Sequence, residues 1–276
     1  MNEHNHQKKL ALINDLSGFG RCSIAAALPI VSHLKIQCCP IPTSIFSAHT
    51  GFEGYRMTDF TPSMAEYMDH WQELGLRFNG ICSGFLGSKE QIELVIRFIE
   101  KFKEENTIVI IDPVMGDNGH PYPTYTKEMC QEMKRLVAYA NILTPNITEA
   151  CILTDTPYKE SWKTSEIIEL AKKLSDMGPE KVVITGIAQK SYIANLCFEK
   201  GKEPAMRKML RVGQQRSGTG DVFTSIIAAD AINQVPFSDS VKKAGKFVQK
   251  CMEASEKLQI PRTDGVAFEE VLHTLK

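Results

Sequence analysis

Residues 216–232 read RSGTGDVFTSIIAADAI, with Gly218, Gly220 and the carboxylate of Asp221 at the mouth of an apolar segment. Val222, Ile226 and Ala229 recur at helical spacing, so a buried helix is expected from about Asp221 onward. Paired glycines let a backbone turn tightly and approach a ligand with no Cβ in between. At a helix start the free N–H groups and the dipole favour an anion. A carboxylate in that place repels a phosphate unless it takes up a proton. The pattern therefore suits Asp221 as a general base for an attacking hydroxyl, with Gly218, Thr219 and Gly220 as an anion hole. The plain alternative is a glycine turn followed by an acidic first helical turn.

Other loops carry weaker versions of the same chemistry. In DPVMGDNGHPY, 112–122, Asp112 and Asp117 flank a turn shaped by Pro113 and Gly116, a pair able to hold a divalent cation or its waters near a triphosphate. In TPNITEA, 144–150, Asn146 and Glu149 stand three apart at a helix entrance, the spacing of an N-cap and its capping partner. The loops SIFSAHTGFEG (44–54) and SGFLGS (83–88) mix hydroxyls, glycine and Phe, which suits a flat aromatic ligand with polar substituents. NDLSGFGRCS, 14–23, has neither the G-x-G-x-x-G of a dinucleotide fold nor the G-K-[ST] of a P-loop.

Short apolar runs must position these loops. Strands are expected at 9–14, 36–43, 78–82, 107–112, 141–144 and 181–186. Helices are expected near 22–34, 62–75, 89–104, 126–139, 146–154 and 164–177. A hairpin over 190–198 and 205–212 and two helices, about 219–233 and 238–258, complete the chain. Continuous apolar strands alternating with helices imply an α/β fold, a mostly parallel sheet covered on both faces. Its ligand belongs beyond the carboxyl ends of the strands. Without a linker or repeat, residues 1–276 read as a single domain.

The chain has 276 residues, 24% charged and 43% hydrophobic, with a net charge of -1. No global field recruits nucleic acid or an anionic membrane, so any anion must be held locally. The polar start, MNEHNHQKK, has no signal-peptide core, and its His4 and His6 read as solvated. Eight scattered cysteines without a C-x-x-C pair fit reduced thiols in a cytoplasmic protein.

Taken in order, SAHTG, SGFLGS, DPVMGD, TPNITE and GTGD resemble the pyridoxal kinase group of the ribokinase-like superfamily, over roughly residues 9–235. The resemblance implies a three-layer αβα sandwich and phosphorylation of the 5′-hydroxymethyl group of a B6 vitamer by Mg-ATP, in a homodimer. It makes Asp221 the base with Gly218, Thr219 and Gly220 as the anion hole. Asp112, Asp117, Asn146 and Glu149 are placed around ATP, with Asp117 and Glu149 at magnesium and Thr185 on the nucleotide side. Phe46 and Thr50 fall in the vitamer pocket, and the resemblance leaves room for a monovalent cation.

Two departures fall on vitamer-facing positions. Asn14 and Asp15 stand where the group often has Ser, and Phe85 stands where it often has Tyr. Asp15 is suited to a cationic aminomethyl group, which favours pyridoxamine. The nearest alternative is a hydroxymethylpyrimidine kinase, since DLSGFG is close to that family's D-P-S-G-G-x-G. A non-catalytic vitamer-binding protein on the same scaffold is the other, against which an intact Asp221 argues.

Overall fold

A computed structural model describes residues 4–276. Its central sheet holds β1 (Lys9–Ser17), β2 (Gln37–Phe46), β3 (Met57–Asp59), β4 (Gly80–Ser83), β5 (Ile108–Ile111), β8 (Ile142–Leu143), β9 (Lys181–Ala188), β10 (Tyr192–Glu199) and β11 (Ala205–Leu210). The strand order is β11-β10-β9-β8-β5-β4-β1-β2-β3. The six central strands, β9 to β2 in that order, run parallel, while β3, β10 and β11 are antiparallel to their neighbours. A two-stranded ladder, β6 (Gly116–Asp117) and β7 (His120–Pro121), closes the turn after β5.

Parallel strands need crossovers, and the amphipathic segments supply them on both faces. Ile13, Ile81, Ile111 and Leu143, on one face of the sheet, belong to a core under α2 (Thr61–Glu73), α3 (Lys89–Phe102), α4 (Lys127–Val137), α5 (Ile147–Leu153) and α6 (Thr164–Asp176). Leu12, Cys82, Ile110 and Ile142, one residue earlier or later, face the opposite core with α1 (Ser23–His33), α7 (Thr219–Ile232) and α8 (Phe237–Lys257). This alternation is the period of two expected of an extended chain, and it makes three layers.

The expected strands, helices and hairpin are present, with different ends. β1 continues past Asn14 to Ser17, although Asp15, Ser17 and Gly18 are turn residues by type. A bulge between Asn14 and Leu16 absorbs the mismatch, and pairing resumes as Leu16 with Ile45 and Ser17 with Phe46. The short β3, β6 and β7 lie outside the expected elements, because two or three residues carry no periodicity. His4 is exposed, as expected, with its Nε2 2.7 Å from the Leu74 carbonyl oxygen. All eight cysteines are unpaired. No helix among the described residues is long and apolar enough to cross a membrane.

Candidate active site

Three strands deliver polar side chains to one helix. Asn14 lies in β1, and Asp112 and Thr144 directly follow β5 and β8. By alternation all three fall on the α7 side of the sheet. Asn14 Nδ2 donates to Asp221 Oδ1 at 3.3 Å, and Thr224 Oγ1 donates to Asp112 Oδ2 at 2.8 Å. The Thr144 and Thr224 hydroxyls are 3.0 Å apart. Hydrogen bonds to a charged group contribute about 1.5–3 kcal/mol each, so α7 is pinned across the sheet rather than merely packed on it.

Gly218 caps α7 with φ +84°, and a Cβ there would overlap the Arg21 carbonyl oxygen. Only glycine satisfies both conditions. Gly220 is different: a Cβ built on it meets nothing within 4 Å, so open space adjoins the first turn. Asp221 lies in that turn, accepts the Asn14 amide and has the Ser23 backbone N–H close by. Burial raises its pKa, and the Ser23 N–H and the Asn14 amide are the main groups that oppose the rise.

The Asp112 loop and the α5 entrance are clamped together. Asn146 Oδ1 accepts the N–H groups of Thr148 and Glu149, and Glu149 Oε2 accepts the Asn146 N–H at 2.8 Å, a complete capping box. Glu149 Oε1 also accepts the Met115 N–H at 3.2 Å, and Asn146 Nδ2 donates to the Gly116 carbonyl at 2.9 Å. Glu149 is 3% exposed, so it is no open loop carboxylate, and both its oxygens already accept backbone N–H groups. Asp117 is half-buried and accepts from the Asn118 N–H and the Gln215 side chain. Thr185 joins this side through its N–H, which donates to the Pro145 carbonyl at 2.8 Å.

These carboxylates repel one another. Burial and the Asp112 charge push Glu149 well above the usual carboxylate range, and burial and Asp221 raise Asp112. Tyr122, unassigned from sequence, has its hydroxyl pKa raised by burial and by Glu149, Asp117, Asp112 and Asp221 together. A divalent cation would relieve that repulsion. Among the described residues no three His, Cys, Asp or Glu side chains converge as a metal-binding group. This donor set fits magnesium that is ligated chiefly by phosphates and water, with one or two carboxylates in support.

On the opposite side, the Phe46 ring lies 6.1 Å from Phe85 and 5.7 Å from Tyr55, both edge-on. Asn14 Oδ1 accepts the Phe85 N–H at 2.8 Å, which ties this aromatic corner to Asp221. At the β1 bulge Asp15 accepts the Ser17 hydroxyl at 3.1 Å, with Ser23 close by. Its pKa rises to about 6, mainly through burial. Thr50 is exposed on the neighbouring turn. There His49 Nδ1 accepts the Gly51 N–H and Nε2 meets the Thr263 carbonyl at 2.6 Å.

Asn14, Asp15, Asp112, Asp117, Asn146, Glu149 and Gly218–Asp221 thus converge at the carboxyl ends of the strands. Sequence reasoning missed Ser23, Thr144, Thr224, Gln215 and Tyr122. Ser23 has φ +52°, a conformation that no signal in GRCS announces. Tyr122 ends the DPVMGDNGHPY loop, where nothing in its spacing marks it.

A family model described as phosphomethylpyrimidine kinase matches residues 24–266. The chain belongs to that family. As a member it is a kinase of the ribokinase-like fold, which moves a phosphate to an alcohol. Among solved structures it is similar to a Bacteroides thetaiotaomicron protein described by the same kinase name, at 34% identity and TM-score 0.96, over 99% of this chain and 95% of that one. A second crystal form of that protein, with pyridoxal, matches at 33% identity and TM-score 0.94 over 98% and 96% of the two chains. The pyridoxine/pyridoxal/pyridoxamine kinase of Bordetella avium is 29% identical over 179 residues, which are 62% of this kinase and 59% of the Bordetella chain.

Proposed function

We propose that this kinase, a single cytoplasmic domain working as a homodimer, transfers the γ-phosphoryl group of Mg-ATP to the 5′-hydroxymethyl group of a B6 vitamer. The observation that carries the reading is Asp221, a carboxylate with a raised pKa one residue from Gly220 and its open space. A base and an anion hole on one helical turn suit a reaction that needs chiefly positioning and charge neutralisation. The substrate oxygen bonds to the γ-phosphorus, ADP leaves, and Asp221 takes the hydroxyl proton. The N–H groups of Gly218, Thr219 and Gly220 hold the charge on the transferring group.

Magnesium, when bound, neutralises the phosphates. Asp117 would hold it or its waters, and the added positive charge would bring the raised pKa values of Asp112 and Glu149 down. Asn146 and Thr185 shape the nucleotide side. Phe46, Phe85 and Thr50 bound the vitamer ring, and Asp15 reads an aminomethyl substituent, which favours pyridoxamine. Pyridoxal in the Bacteroides structure and the name of the Bordetella enzyme support a B6 acceptor.

The family description favours one second reading, hydroxymethylpyrimidine as acceptor. ADP release measured with pyridoxal, pyridoxamine, pyridoxine and hydroxymethylpyrimidine separates the two. The B6 reading expects the highest kcat/KM with a vitamer. A higher value with the pyrimidine reverses it, and no turnover with any of the four points to a binding protein.

A further inference from the structure

One buried guanidinium holds the loop that opens α7. Arg216 is 8% exposed, and its Nη1 donates to the Ile260 and Pro261 carbonyls at 2.7 and 3.0 Å. Its Nη2 donates to Glu256 Oε1 at 2.8 Å, and its own carbonyl accepts the Thr219 hydroxyl at 3.3 Å. The segment 260–265 returns the grip. Arg262 Nε donates to the Gln215 carbonyl at 2.7 Å, and Arg21 Nη1 donates to the Asp264 carbonyl at 3.1 Å. Arg21 also bridges Gly265, and its carbonyl backs Gly218. Residues 215–218 are therefore fixed between Arg216 on one side and Arg21 on the other.

Burying a guanidinium is costly unless its donors are matched, and here Nε has no partner among the described residues. A turn alone has no need of such a group. What lies two residues downstream is the run of N–H groups whose placement decides phosphoryl transfer, where misplacement by about 1 Å costs on the order of 100-fold in rate.

We propose that Arg216 is a positioning residue: by fixing its loop to residues 260–261 it sets the N–H groups of Gly218–Gly220 against Asp221, without touching substrate. This rests on the kinase reading above. The test is Arg216→Ala in the full-length chain, assayed with a vitamer that the parent turns over. The expected result is a kcat fall of about 30-fold or more with vitamer KM within about threefold, partly restored by millimolar methylguanidinium that leaves the parent unchanged. A kcat within about threefold of the parent overturns the proposal, as does a loss that tracks Tm and is not rescued. If Arg216→Ala does not fold, Glu256→Ala releases one arm from a half-exposed partner, with kcat expected to fall about fivefold; an unchanged kcat overturns the proposal. A parent inactive on every acceptor removes the substrate reading instead. Affinity for β,γ-imido-ATP then decides: about tenfold weaker binding by Arg216→Ala supports the proposal, and equal binding overturns it.

Discussion

The Asn14 amide joins the Asp221 carboxylate to the Phe85 backbone, donating to the first at 3.3 Å and accepting from the second at 2.8 Å. A Cβ at Gly84 would lie 2.5 Å from the Asn14 side chain, so the glycine leaves room for this link. Asn14→Asp removes the donor and places a like charge beside Asp221, which raises the Asp221 pKa further. The acid limb of the kcat/KM profile should move to higher pH by about 1 pH unit, with lower kcat. An unshifted limb would show that Asn14 does not tune the base.

The two glycines of the turn should fail differently. Gly218→Ala meets a left-handed φ and the Arg21 carbonyl, so stability should fall, by about 1–3 kcal/mol or more. Gly220→Val has room within the protein and should fold, yet its side chain enters the space where phosphate approaches. Thermal melts and nucleotide titrations check both. A Gly220→Val protein with parental ATP affinity would remove that space from the phosphate site.

The architecture was legible because its central strands are continuous apolar runs, and their order placed the loops at one sheet edge. GTGD was legible because its glycines and carboxylate are adjacent in sequence. The β1 bulge was not, since a bulge depends on register with β2. Nor was the link from Thr144 through Thr224 to Asp112, whose members lie up to 112 positions apart. For Glu149 the cap and the site looked like alternatives, whereas its two oxygens serve the cap and the Asp112 loop together.

Glu149 and Asp117 should therefore separate. Glu149→Ala breaks the capping box and frees the buried Met115 N–H, so apo Tm should drop, by an amount matching about 1–3 kcal/mol, along with Mg-ATP affinity. Asp117→Ala removes a half-buried carboxylate and should weaken Mg-ATP or slow turnover with little change in apo Tm. Equal melting shifts for both would contradict the clamp.

Asp15 carries a sign that can be checked. Its folded pKa of about 6 exceeds the 3.8 of a solvated carboxyl, so between those values the folded chain keeps a proton that the unfolded chain has released. Stability falls as pH rises from about 4 to about 6, and the cost persists above. Asp15→Asn should be more stable than the parent at pH 7.5, by about 1–3 kcal/mol, with the gain vanishing below about pH 4. If Asp15 reads an amine, the same variant loses more kcat/KM on pyridoxamine than on pyridoxal. Equal losses would leave Asp15 a purely structural anion.

Asp221 as general base is the centre of the account, and Asp221→Asn tests it most directly. The amide keeps the shape of the side chain, so the fold and both substrate sites should survive, and ATP binding should hold or tighten as one negative charge is lost. Loss of a general base costs about 10²–10⁴ in rate, or roughly 3–5 kcal/mol of barrier. The measurement is single-turnover phosphorylation of the vitamer by Asp221→Asn, alongside titration of bound nucleotide. With Asp221 as the base, ATP stays bound and the rate falls by at least about 100-fold. Bound ATP with a rate within about threefold of the parent would contradict that role, leaving the carboxylate a partner for Asn14 and Ser23 and the glycines a turn.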